Sequence, residues 1–190
     1  GIGNGYGSPV FTTDRMYILG EIDTSGYLFA FDLKGKLLWK TNFGYEWTKS
    51  FRGSRSTPTV VDNLIYVCSG FGNITCFESE KGEKNWSVDL LKDLNGVNAL
   101  HGHSESPVIQ DNKIFLTTGG KDTNVVALNR YTGKIEWICK GLGERPAYNS
   151  PIIIHLKNRS ILVTFTAYAL MGIDTKTGEL LWTHIQDNLP

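Results

Sequence analysis

Apolar and polar residues alternate with a period of two along most of this 190-residue chain, in runs of five or six broken by turn-forming residues. Between 56 and 88 the runs TPTVV, LIYVCS, ITCFE and KNWSV are separated by DN, GFGN and SEKGE. Each run reads as a strand and each break as a tight connection. The same four-run pattern recurs as SPVFT, MYILG, YLFAFD and LLWKT, as SPVIQ, KIFLTT, VVALN and IEWIC, and as SPIIIH, SILVTF, ALMGID and LLWTH. The chain is therefore predicted to be all-β, with four units of four strands at about 8–40, 56–88, 105–139 and 149–184. The longest apolar stretch, Ile161 to Ile173, carries two threonines and reads as two strands and a turn. It falls short of the ~20 residues a membrane-spanning helix needs.

Two markers keep the units in phase. The first is a glycine four residues before a tryptophan: Gly35 and Trp39, Gly82 and Trp86, Gly133 and Trp137, Gly178 and Trp182, with tryptophan intervals of 47, 51 and 45 residues. The second is a proline phrase at Pro9, Pro58, Pro107 and Pro151, which precedes each tryptophan by 28 to 31 residues. A repeat of this period built from antiparallel four-strand meanders predicts a β-propeller of four-stranded blades, whose radial stacking covers strand edges that would otherwise be exposed.

The marker has a physical reason. Its glycine falls in the turn between the third and fourth strands, where a positive φ costs only glycine little. Asp32, Asn129 and Asp174, which open that turn, can fold back onto its amides, and Glu78 is expected to do so less well. The tryptophan presents a large flat surface that one blade cannot bury alone.

The pattern A-x-D-x-x-x-G-x-x-x-W resembles the tryptophan-docking motif of the pyrroloquinoline quinone (PQQ) type β-propellers. Ala127, Asn129, Gly133 and Trp137 match it, as do Gly172, Asp174, Gly178 and Trp182, and Cys76, Glu78, Gly82 and Trp86. Ala30, Asp32, Gly35 and Trp39 match with one turn residue fewer. The resemblance implies that Trp39, Trp86 and Trp137 dock on the glycine turn of an adjacent blade, and it leaves Trp182 without a following turn. It spans quinoprotein alcohol dehydrogenases, which hold PQQ and calcium, and BamB-like propellers, which hold no cofactor. The dehydrogenases often carry adjacent cysteines over the quinone, whereas Cys68, Cys76 and Cys139 are dispersed. It therefore implies a periplasmic or secreted binding or scaffold module with a protein partner or small ligand at the channel face and no cofactor. The rival is part of a PQQ-dependent dehydrogenase with PQQ and calcium. A third reading is a carbohydrate or peptide binder.

Composition narrows this further. Lys plus Arg equals Asp plus Glu at 19 each, so there is no basic field to attract nucleic acid. The long inter-blade connections NFGYEWTKSFRGSRS, DLLKDLNGVNALHGHSE and KGLGERPAYN are where binding residues are expected. Candidates there are Tyr45, Trp47, Arg52, Arg55, His101, His103, Arg145 and Tyr148. They either bind a ligand or cover the central channel. His101 and His103, with Glu105 following, could face a metal only if the segment is extended, and they are expected to be solvated loop histidines. No metal site is assigned. Trp47, out of phase with the repeat, is expected to matter far less to stability than Trp86 or Trp137. Cys76 occupies the small-residue position of the motif and is expected to be a buried free thiol. The opening GIGNGYG, without methionine, and the close at HIQDNLP suggest a piece of a longer propeller, expected in isolation either to pair with a second copy to complete an eight-bladed ring or to aggregate.

Overall fold

A computed structural model describes residues 1–186; Asp187–Pro190, part of the closing phrase, lie outside the described residues. Sixteen strands form four separate four-stranded antiparallel sheets, each a simple meander, and no helix occurs among the described residues. The first blade comprises β1 (Val10–Phe11), β2 (Arg15–Ile22), β3 (Ser25–Asp32) and β4 (Leu37–Tyr45). The second comprises β5 (Thr59–Val61), β6 (Leu64–Cys68), β7 (Asn73–Glu78) and β8 (Lys84–Asp89). The third holds β9 (Val108–Gln110), β10 (Lys113–Thr117), β11 (Val125–Asn129) and β12 (Ile135–Cys139). The fourth holds β13 (Ile152–His155), β14 (Ser160–Phe165), β15 (Ala169–Asp174) and β16 (Leu180–Ile185).

The chain divides into two compact units. One contains Gly1–Val88 and Leu100–Ser106; the other contains Asp89–Ala99 and the chain from Pro107 onward. Within the first, Tyr17, Leu19, Leu28, Ala30 and Phe43 of the first blade bury against Ile65, Val67 and Phe77 of the second, with Trp39 and Val60 packed alongside. Within the second, Phe115, Val125, Ala127 and Trp137 bury against Leu162, Met171 and Ile173, flanked by Val108 and Ile153. Three of the tryptophans stand opposite the small residue of their motif: Trp39 opposite Ala30, Trp137 opposite Ala127, Trp182 opposite Gly172. In all three blades the register slips by one residue immediately afterwards, on the turn side of the tryptophan. This bulge sits there whether the turn is the shorter one of the first blade or the longer one of the others.

Docking is visible within each unit. Gly82 takes φ +72 and Gly178 φ +78, and β-carbons built there would lie 2.7 Å from the rings of Trp39 and Trp137 respectively. Trp137 also donates its Nε1 hydrogen to the Thr175 carbonyl (3.1 Å). Trp86 is half-buried beside Tyr66 of its own blade. Trp182 lies over Gly172 and stays 39% exposed.

Turn capping departs from expectation at one position. Asp32 accepts the amides of Lys34 and Lys36, and Asp174 those of Lys176 and Thr177. Glu78 caps as fully as the aspartates, with Oε1 taking the Glu80 amide (2.7 Å) and Oε2 the Lys81 amide (2.8 Å). Its extra methylene lets the two oxygens divide the work, so glutamate is no weaker a cap here. The cysteines are free and buried, with Cys76 opposite Tyr66 and Cys68 opposite Ile74.

Candidate functional site

In the first unit three segments converge: the loop from Glu46 to Ser56 that leaves β4, the turn Ser69–Asn73 between β6 and β7, and the segment Leu100–Ser106. Glu46 and Gly70 begin the assembly. The buried Glu46 carboxylate accepts the amides of Trp47 (2.8 Å) and Gly70 (2.5 Å) through Oε1, while Oε2 has no hydrogen-bond partner. Burial raises the Glu46 pKa, with these amide bonds opposing the rise. On the other side of Gly70, its carbonyl takes the amide of His103 (2.9 Å).

His103 is 2% exposed, and its Nε2 has no partner. Burial lowers its pKa to about 4, so the imidazole is neutral near pH 7. This corrects the expectation of solvated loop histidines. Gly102, at φ +86, turns the segment inward so tightly that a β-carbon on it would meet the Trp47 ring at 2.8 Å. His101 is half-buried, with Nδ1 3.1 Å from the Ser50 hydroxyl. Among the described residues, no three of His, Cys, Asp and Glu gather into a metal-holding group.

Trp47 is also not the peripheral residue its phase suggests. It is 5% exposed, sits against Phe71 with ring centroids 5.2 Å apart, and donates Nε1 to Ser50 Oγ (3.1 Å). It is the core of the loop layer rather than of a blade. Cys68, at the end of β6, is buried; burial raises its thiol pKa well above normal, and the charges of Glu105 and Glu46 add to the effect. The thiol is therefore protonated and a poor nucleophile.

The two arginines are committed to the protein itself. Arg52 makes a bidentate pair with the buried Glu21, Nη2 to Oε1 at 2.6 Å and Nε to Oε2 at 3.3 Å. The hydrogen bond from Arg52 leads in holding the Glu21 pKa below the usual carboxylate range. Arg55 spends its guanidinium on backbone carbonyls: His101 (2.9 Å), Gly53 (2.8 Å), Ser50 (2.6 Å) and Phe51 (2.7 Å). It thereby ties the post-β4 loop to the Leu100–Ser106 segment, and its Cζ lies 5.8 Å from the Tyr6 ring centroid. The N-terminal segment is held in place by an Asn4–Glu21 bridge and a Gly5–Ser54 bridge, an attachment that strand periodicity did not foresee.

Around this floor Tyr6, Tyr45, Phe51 and Leu100 are all more than 60% exposed. Phe51 also meets the His101 ring edge-on at 5.6 Å. Arg145 and Tyr148 belong to the second unit, where both are exposed. There Glu144 accepts the Thr166 hydroxyl and the Tyr168 amide (3.2 Å), and its carbonyl takes Asn124 Nδ2 (2.7 Å). Of the eight candidates, five are brought together in one unit as support, Tyr45 lies at the edge of that group, and two stand elsewhere. Glu46 and Glu21, which anchor the floor, were not read from the sequence. A carboxylate flanked by two aromatics, as in YEW, was the available signal for the first.

Residues 24–188 match the family described as outer membrane protein assembly factor BamB. The quinoprotein alcohol dehydrogenase PedH of Pseudomonas putida is 27% identical over 76% of this chain and 24% of its own length. The outer membrane protein assembly factor BamB of Francisella salina is 26% identical over 68% of this chain and 24% of its own. The chain thus spans about a quarter of the length of either relative. The crystal structure of the quinohemoprotein alcohol dehydrogenase ADHIIG from Pseudomonas putida superposes with TM-score 0.70 at 20% identity, over 93% of this chain and 34% of that one. At that identity the likeness is one of fold.

Proposed function

We propose, on the premise that this chain belongs to the family described as outer membrane protein assembly factor BamB, that it is a binding or scaffold propeller with no catalysis of its own. It works outside the cytoplasm, and its ligand is a protein segment rich in apolar side chains. The observation that carries this reading is Arg55. A guanidinium that could have met a substrate anion is instead used on four backbone carbonyls, and the loops it fixes hold Phe51, Tyr6 and Leu100 outward. Rigid, exposed aromatic side chains over a buried polar floor supply contact area at low entropic cost, as protein-binding surfaces do.

The rival reading is part of a PQQ-dependent dehydrogenase, favoured by the 27% identity to PedH. Glu46 is a poor carboxylate for its calcium, being engaged by two amides and driven toward its protonated form. A carbohydrate ligand lacks comparable support, since the exposed set is apolar and the polar groups beneath it face inward.

The test is a titration of the chain with labelled apolar, aromatic-rich peptides, read by fluorescence anisotropy. Saturable binding is expected, with Phe51→Ser weakening it by about tenfold while the unfolding midpoint stays put. A calcium-dependent PQQ titration with micromolar affinity, together with dye reduction by an alcohol, would transfer the assignment to the dehydrogenase.

A further inference from the structure

The three segments that build the floor of the first unit sort their charges by depth. Residues 46–56, 69–73 and 100–106 carry two carboxylates, Glu46 and Glu105, and three fixed cations, Lys49, Arg52 and Arg55. Both carboxylates are buried, at 1% and 3% exposure. The cations are not: Lys49 and Arg52 are exposed and Arg55 is half-buried. Over the whole chain the two signs balance at 19 each, so the separation belongs to these loops rather than to composition.

The cations differ in how far the protein itself answers them. Arg52 gives Nε and Nη2 to the buried Glu21, and the exposed Asp23 in the turn between β2 and β3 bears on it as well. Arg55 has its donors on four carbonyls. Lys49 is left: its ammonium lies 5.3 Å from the centroid of the Trp47 ring, and no carboxylate bonds it among the described residues. A carboxylate brought to that ammonium would add an ion pair to the ring contact. The position also suits a ligand. Phe51, 71% exposed, stands between Lys49 and Arg52 in sequence, and the Arg55 guanidinium that bonds the Phe51 carbonyl lies 5.8 Å from the Tyr6 ring centroid. A surface laid on Phe51, Tyr6 and Leu100 therefore has positive groups at its margin, and none of the three segments sets an exposed carboxylate beside them.

We infer that the protein segment bound over Phe51, Tyr6 and Leu100 carries aspartate or glutamate beside its apolar side chains, with a carboxylate set against Lys49. This rests on the peptide-binding reading and adds to it the sign of the ligand's charge. A segment flanked by lysine or arginine would bring like charges together, which costs affinity rather than merely failing to add to it. Single-stranded nucleic acid also combines anionic and flat groups, but it calls for a groove of cations tracking its backbone. Two of the three cations here are already engaged, by Glu21 and by carbonyls.

Fluorescence anisotropy at low salt, where exposed ion pairs are least screened, tests it. Three labelled peptides share one aromatic-rich core and are flanked by aspartates, by asparagines or by lysines. The aspartate peptide is expected to bind about threefold tighter than the asparagine peptide and about tenfold tighter than the lysine peptide. Lys49→Glu should reduce that tenfold ratio to about twofold or less, with the unfolding midpoint confirming that the variant folds. The peptide series on the unmodified chain stands whether or not it does. Equal affinity for the three peptides, preference for the lysine peptide, or an unchanged ratio in folded Lys49→Glu would overturn the inference and leave peptide binding intact. Tighter binding of a labelled oligothymidylate than of the aspartate peptide would overturn it in favour of nucleic acid. If none of the three peptides binds, the peptide-binding reading falls and this inference falls with it.

Discussion

The indole of Trp137 lies so close to the α-carbon of Gly178 that a methyl group there would sit 2.7 Å from the ring. Sequence marks both residues by spacing alone; the structure shows that each exists for the other. Trp137→Ala is expected to cost about 3–5 kcal/mol, the range for deleting a buried large aromatic. Gly178→Ala should cost about 2 kcal/mol or more, combining a positive φ with a clash against a rigid ring. Denaturant titration of both single variants and the double variant measures this. The double should lose less than the sum, because the alanine methyl then occupies part of the vacated space.

Trp47 should behave like a phased tryptophan despite its position. Its burial against Phe71 and Gly102 predicts a loss of about 3–5 kcal/mol for Trp47→Ala in the same titration. A loss below about 1 kcal/mol would return it to the periphery.

His103 makes stability depend on pH in a stated direction. Its folded pKa, about 4, lies below the ordinary 6.5, so the unfolded chain binds the proton more readily. The stability it contributes is complete above about pH 6.5 and declines as pH falls toward 4, by up to about 3 kcal/mol. Glu46 acts with the opposite sign. Its folded pKa is raised above 4.5, so stability is full below that value and is lost as pH rises through the folded pKa. Urea midpoints between pH 4 and 8 should therefore rise less steeply with pH in His103→Asn, while Glu46→Gln should lose less stability toward neutral pH than the parent.

Arg52→Ala should expose what the Glu21 pair is for. The carboxylate loses its two guanidinium contacts and keeps the Thr24 amide (2.8 Å), so the variant should be less stable than the parent at neutral pH, by an amount that the exposure of the arginine keeps small. Because the pair holds the Glu21 pKa down, its contribution exists above about pH 4.5 and disappears as pH falls through the folded value. The difference between parent and variant should shrink in acid, and thermal melts at pH 7 and pH 3 would show it.

The strands were legible because their information is local. Alternation, turn residues and the tryptophan phase placed nearly every strand within one or two residues, with β2 and β4 running longer than their apolar cores. The loop layer was not legible, since nothing in HGHSE distinguishes a solvated histidine from a buried one. That depends on Gly102 meeting Trp47, a contact 55 residues apart in sequence. The arginines were similarly opaque: a long loop with two guanidinium groups looks like a binding site until their carbonyl partners are placed.

The turn tip beyond Trp39 and Trp137 separates two properties that are usually tied. In an ordinary hairpin, adding or removing a loop residue carries every later side chain to the opposite face. Here the same one-residue slip follows in both blades and the difference in length is held in the tip, closed by Asp32 and Lys36 in one and by Asn129 and Lys134 in the other, so Trp39 stands opposite Ala30 after a shorter turn just as Trp137 stands opposite Ala127 after a longer one. The length of the hairpin tip can therefore drift through evolution, or be changed by design, without reversing the face on which the ring is presented.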